Sequence, residues 1–186
     1  MIIYIHGFGS HGHGGKASTF RDYFKSIDQP FIAPSLSYVP QLAIKTLEEL
    51  ITSYDEKVSL IGSSLGGFYT LYLAQKYQLK AVLINPAIKP YITLKRALGE
   101  APNFYDGSHF EWKESHLEML KAYKTERLVQ ENNFMLMLQK DDDVLNYKEA
   151  LAKLPHAKQI VEDGGSHSFD GIERYFKEIE LFLKHQ

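Results

Sequence analysis

The chain has 186 residues, 44% of them hydrophobic and 24% charged, with a formal net charge of −2. That size suits one domain with one sizeable core, and the composition excludes a disordered chain and a membrane protein. No basic block of the kind that neutralises phosphates occurs, which argues against nucleic acid as a partner; the lack of cysteine excludes disulfides and thiolate metal sites and agrees with a reducing compartment.

The opening residues, Met1-Ile2-Ile3-Tyr4-Ile5, carry neither the basic region nor the small-residue cleavage site of a signal peptide. No apolar run approaches the roughly 18 residues of a membrane span, so a soluble, cytoplasmic protein is expected. Ile2–Ile5 is apolar throughout, as in a strand buried on both faces of a parallel sheet. It runs into His6-Gly7-Phe8-Gly9-Ser10-His11-Gly12. Gly7 to Gly12 matches G-x-G-x-x-G, and with Asp28 about twenty residues on it outlines a dinucleotide-binding fingerprint. Two features oppose that reading. The acid should end the second strand, whereas Asp28 precedes the next candidate at 31–33; and the helix would have to begin within His11-Gly12-His13-Gly14-Gly15, poor helix sequence. His6, His11 and His13 could be read as metal ligands, but the glycines between them do not make a rigid set.

After the strand at 31–33, Pro40 opens a helix whose apolar stripe is Leu42, Ile44, Leu47, Leu50 and Ile51. A strand at 58–61 precedes Gly62-Ser63-Ser64-Leu65-Gly66-Gly67, and a helix over Leu65–Tyr77 follows it. Next come a strand at Ala81–Ile84 and then residues 87–132, in which no strand is predicted and a helix is expected near 112–128. A stretch that long is an extra helical layer or a lid. Its aromatics Tyr105, Phe110 and Trp112 are candidates for a substrate pocket, or else for core packing beneath the layer. The chain closes with strands at 134–138 and 159–161 and helices at 147–154 and 172–183, with cap signals in Asn146/Glu149 and Asp170/Glu173. The alternation predicts one three-layer α/β/α domain over residues 1–186, on a mostly or wholly parallel sheet of about six strands.

The segment Gly62-Ser63-Ser64-Leu65-Gly66 fits G-x-S-x-G between a strand and a helix, the nucleophile elbow of α/β-hydrolases. A tight turn there strains the serine and exposes its hydroxyl above the sheet edge. The plain alternative is a glycine-rich turn that only packs a helix on the sheet. With Ser64 as nucleophile, oxyanion donors are expected from the N–H of Leu65 and from that of Phe8, in the His-Gly loop after the first strand; His6 would then hold the loop. The chain order of this fold is serine, acid, histidine. Of His109, His116, His156, His167 and His185, only His167 lies in a glycine-rich loop between the last strand and the last helix, where the base belongs. The acid should follow the strand at 134–138, where Asp141, Asp142 and Asp143 stand. The apolar Val144 two positions on favours Asp142, with Asp143 the alternative; the others would cap the next helix or face solvent.

These segments resemble the YqiA-type bacterial esterases, small single-domain α/β-hydrolases. The matching stretches are Tyr4-Ile5-His6-Gly7-Phe8, Ile61 to Gly67, Ala81-Val82-Leu83-Ile84-Asn85-Pro86-Ala87, Asp142-Asp143-Val144-Leu145 and Glu162 to Phe169. They run nearly end to end, and the Ile-Asn-Pro-Ala block is specific beyond a generic hydrolase pattern. The resemblance implies a hydrolase fold trimmed at its N-terminus. It further implies esterase activity extending to acyl thioesters such as acyl-CoA, no cofactor, and a triad of Ser64, Asp142 and His167. The family usually has glycine before the acid, where this chain has Asp141. The competing functions are a dinucleotide-binding oxidoreductase and a non-catalytic binding module on the same scaffold. Oligomeric state and the acyl and leaving groups are not legible.

Overall fold

In the computed structural model, which describes residues 1–184, the elements in chain order are β1 (Ile2–Ile5), α1 (Gly15–Ser26), β2 (Phe31–Ile32), α2 (Pro40–Ser53), β3 (Ser59–Ser63), α3 (Leu65–Tyr77) and β4 (Ala81–Ile84). They continue with α4 (Pro90–Thr93), β5 (Gly99–Pro102), β6 (His109–Trp112), α5 (Glu114–Lys121), β7 (Phe134–Gln139), α6 (Tyr147–Lys153), β8 (Lys158–Glu162) and α7 (Phe176–Lys184). His185, weighed above as a base, lies outside the described residues.

The main sheet has the order β2-β1-β3-β4-β7-β8, and every pairing is parallel. Both faces are covered, which is why its central strands are apolar at nearly every position. Ile3, Ile5, Leu60, Leu83, Leu136 and Leu138 face one core, against α2, α3 and α5. The alternate residues Ile2, Tyr4, Ile61, Val82, Ile84, Met135 and Met137 face a second core, against α1 and α7. The chain steps from β1 outward to β2 and then back across to β3. The carboxyl ends of β1 and β3 therefore flank a topological switch point, where open α/β sheets leave a crevice.

Three expectations are corrected. First, residues 87–132 are not purely helical. They hold an antiparallel hairpin of β5 and β6, separate from the main sheet, and the helix after it covers only Glu114–Lys121. β6 alternates over only four residues, with His109 and Glu111 exposed, Phe110 half-buried and Trp112 buried, while β5 buries Ala101 alone. Second, a helix begins at Gly15 despite the glycines, because Ala17, Phe20 and Phe24 bury one face on the sheet. The fingerprint reading fails on its other count, since Asp28 falls between α1 and β2 and does not end a strand. Third, Asp170 does not cap the last helix. That helix starts as a 3-10 turn at Ile172–Tyr175 with Gly171 before it, and Asp170 accepts a hydrogen bond from Ser166 instead. Asn146 does cap α6, accepting from the Lys148 N–H at 3.1 Å.

Candidate active site

Ser64 sits at the apex between β3 and α3 with φ 56 and ψ −122, a region that non-glycine residues rarely occupy. The flanking glycines are required by contact. A Cβ at Gly66 would lie 2.0 Å from the carbonyl oxygen of Ile5, and one at Gly62 would lie 2.1 Å from Thr70 Oγ1. The elbow thus presses against the end of β1, and the loop after β1 runs beside the serine.

Ser64 Oγ lies 2.9 Å from His167 Nε2. On the other side of the ring, His167 Nδ1 is 2.8 Å from Asp142 Oδ2 and 3.0 Å from Oδ1. Asp142 Oδ1 also accepts from the N–H groups of Val144 and Leu145, both at 2.8 Å. The Asp142 side chain is 2% exposed and that of His167 24%. Burial pushes the Asp142 carboxyl upward, but the hydrogen bonds from His167, Leu145 and Val144 outweigh it and hold the pKa below the usual carboxylate value. An ionised Asp142 makes Nδ1 the donor, which leaves Nε2 to accept from the serine hydroxyl. Asp143 is exposed and Asp141 is exposed; among the three aspartates only Asp142 meets the imidazole.

The N–H groups of Phe8 and Leu65 have no acceptor among the described residues. Leu65 is the first residue of α3, where no intrahelical partner exists. His6 is buried, donating from Nδ1 to the Gly7 carbonyl at 2.9 Å and accepting at Nε2 from the Leu36 N–H at 2.9 Å. Both nitrogens are therefore spent on fixing the loop. Burial is the main cause that holds its pKa below the ordinary value, consistent with a neutral ring.

A cavity of about 740 Å³ opens over the serine, lined among others by Phe8, Ser64, Leu94, Phe104, Val144 and His167. A smaller one of about 80 Å³ adjoins it, lined by Phe8, Leu65, Tyr38 and Phe110 among others. Of the aromatics singled out in the sequence, Phe110 lines the smaller cavity. Tyr105 is 63% exposed and packs at a tilt against His11, and Trp112 is 1% exposed, its ring edge-on to Phe8 at 4.9 Å and its Nε1 donating to the Leu94 carbonyl. Trp112 thus backs the loop rather than lining a cavity.

Three side chains that hold the His167 loop gave no signal as such in the sequence. Lys16 donates from Nζ to the Ser168 carbonyl, and Asn85 and Gln139 bond to the His167 loop from beneath. Lys16 follows helix-poor residues and gives no signal of its own. Asn85 lies in the Ile-Asn-Pro-Ala block, which is where a signal could have been found.

The model of the uncharacterised protein family UPF0227 matches residues 1–184. UPF0227 protein YcfP of Escherichia coli O9:H4 (strain HS) is 23% identical over 187 residues, covering 98% of each chain. Among solved structures, alpha/beta hydrolase domain-containing protein 10 from mouse is similar with a TM-score of 0.76 at 19% identity, over 98% of this chain and 88% of that one. The monoacylglycerol lipase of Paleococcus ferrophilus gives a TM-score of 0.73 at 15% identity, over 100% and 94%. At such identities the fold is what is shared, and it is the α/β-hydrolase fold.

Proposed function

The chain belongs to the UPF0227 family, and from its site geometry we propose that it is a serine esterase that works through an acyl-enzyme. The observation that carries the proposal is the unbroken chain from Ser64 Oγ to His167 to Asp142, with contacts of 2.9 and 2.8 Å, at a strained strand-to-helix turn. His167 Nε2 takes the proton of Ser64 as Oγ attacks the substrate carbonyl. The N–H groups of Phe8 and Leu65 hold the resulting oxyanion. The protonated imidazole, steadied by Asp142, gives its proton to the departing alcohol or thiol. His167 then deprotonates a water that attacks the acyl-serine and releases the acid. The first proton transfer runs between groups already in hydrogen-bond contact, Ser64 Oγ and His167 Nε2, and the mechanism calls on no cofactor.

The substrate class proposed is a small carboxylic ester, with acyl thioesters such as acyl-CoA included because the same carbonyl chemistry serves both. The apolar walls contributed by Phe8, Leu94, Phe104 and Val144 suit an acyl or alkyl group. The similarity to a monoacylglycerol lipase agrees with an ester as the scissile group.

Intact mass after treatment with a fluorophosphonate tests the reading. We expect one adduct on the wild-type protein and none on Ser64→Ala, with hydrolysis of a p-nitrophenyl ester reduced at least ~10⁴-fold in the variant. A well-folded wild type that stays unmodified would overturn it.

A further inference from the structure

The loop that carries His167 has few apolar contacts of its own. Ser166, His167 and Ser168 are all partly or fully exposed, and Phe169 is the first buried residue. Something else must hold the imidazole between Ser64 and Asp142. Beneath the loop lie two buried amides, Asn85 at 2% and Gln139 at 3% exposure. Asn85 Nδ2 donates to the carbonyls of Ser166 at 3.0 Å and His167 at 3.1 Å. Its Oδ1 accepts from the Gln139 backbone N–H at 3.0 Å. Gln139 Oε1 accepts from the N–H groups of Ser166 at 3.0 Å and Asp170 at 2.7 Å, while Nε2 donates to the Asp170 carbonyl at 2.9 Å and to Glu162 Oε2 at 2.7 Å. The loop is thus gripped on both sides of His167, through donors and acceptors alike.

The surrounding chain is shaped for this grip. Asn85 follows β4 at φ 40, a left-handed conformation that asparagine tolerates better than most residues. Gly165 has φ 81, and a Cβ there would lie 2.0 Å from Gln139 Oε1. Asn85 and Gln139 stand at the carboxyl ends of the adjacent strands β4 and β7, so the sheet itself fixes their separation. Neither side chain hydrogen-bonds to Ser64 and neither residue lines the cavity, so neither has a chemical role of its own.

We propose that Asn85 and Gln139 form a two-amide clamp that positions His167 for proton transfer, setting the turnover rate without contributing to substrate binding. The proposal rests on the serine-esterase reading above. Buried amides fixed by three hydrogen bonds at Asn85 and four at Gln139 are rigid supports, whereas a misplacement of about 1 Å at the reacting groups costs on the order of 10²-fold in rate.

The decisive variant is Asn85→Asp. It keeps the volume, the tolerance for the left-handed backbone and an acceptor for the Gln139 N–H, but it puts an oxygen against the two carbonyls of the loop. Gln139→Met is the second variant, similar in length and without hydrogen bonds. Steady-state hydrolysis of a p-nitrophenyl ester, fluorophosphonate labelling rate and thermal melting are measured on all three proteins. The clamp predicts a loss of about 10²-fold in kcat for each variant, with KM within twofold and the labelling rate falling in proportion. A cooperatively melting variant with the wild-type kcat would overturn it, as would a loss expressed mainly in KM. If neither variant melts cooperatively, the pair holds the fold rather than the imidazole, and the proposal fails. An inert wild type would instead remove the esterase reading and the clamp together.

Discussion

Two buried carboxylates of this molecule have depressed pKa values, and their surroundings differ in an instructive way. Glu180, on α7, has a side chain 6% exposed and is met by the Tyr23 hydroxyl at 2.5 Å, by Lys177 at 3.1 Å and by Lys184 at 2.9 Å. The hydrogen bond from Tyr23 and those from the two lysines lower its pKa to about 2. Asp142 is equally hidden but keeps one titratable partner, an imidazole whose second nitrogen faces a hydroxyl across a cavity wall. A shifted carboxylate by itself does not mark an active site. What separates the two is whether a partner connects the carboxylate to a second group at a cavity: the His167 ring links Asp142 to Ser64, whereas neither cavity at the serine is lined by Glu180.

Substitutions at the two carboxylates should therefore fail in opposite ways. The largest effect is expected for Asp142→Asn. It preserves shape but removes the charge that fixes the Nδ1–H tautomer, and kcat should fall by about 10³–10⁴-fold with little change in melting temperature. A variant within tenfold of wild type in an ester assay would break the contrast. Glu180→Gln should do the reverse, leaving kcat unchanged while lowering unfolding free energy by about 2 kcal/mol in a urea titration. The sign with pH follows from the depressed value. Glu180 contributes its stability above the ordinary carboxylate range, and that contribution is lost as pH falls from about 4.5 toward about 2. The variant's stability curve should accordingly converge on that of the wild type in acid. The smallest effect is expected for Asp143→Asn, an exposed neighbour of the proposed triad acid: kcat within twofold and stability within about 0.5 kcal/mol.

Much of this site was legible because its chemistry is tied to backbone geometry. The elbow glycines mark positions where no side chain fits, and the strand before them is buried on both faces, so motif and hydrophobic run report the same turn. Val144 pointed to Asp142 for a reason visible in space, since the N–H groups two and three residues on both close onto the carboxylate. Other parts left weaker traces. The face of α1 made by Ala17, Phe20 and Phe24 was present in the sequence but stands directly after a glycine-histidine run of opposite propensity. The β5–β6 hairpin left only a short trace: His109-Phe110-Glu111-Trp112 alternates polar and apolar over four residues, and Asp106-Gly107 at the tip, where Asp106 accepts from the Ser108 N–H and Gly107 has φ 73, is a turn signal. Asn85 and Gln139 carry no charge and act by geometry alone, so their residue types give no sign of a role in the sequence.

The hairpin has a consequence for anyone who would alter this protein. Phe104 N–H donates to the Gly9 carbonyl at 2.8 Å, and Trp112 braces the ring of Phe8. The same short segment that walls the cavity thus props the loop proposed to carry an oxyanion donor. Grafting a different 99–112 segment to change which molecules enter would also disturb that donor. Under the proposed mechanism selectivity and speed are coupled by construction, and redesign of one should start from variants that leave Gly9, Phe104 and Trp112 in place.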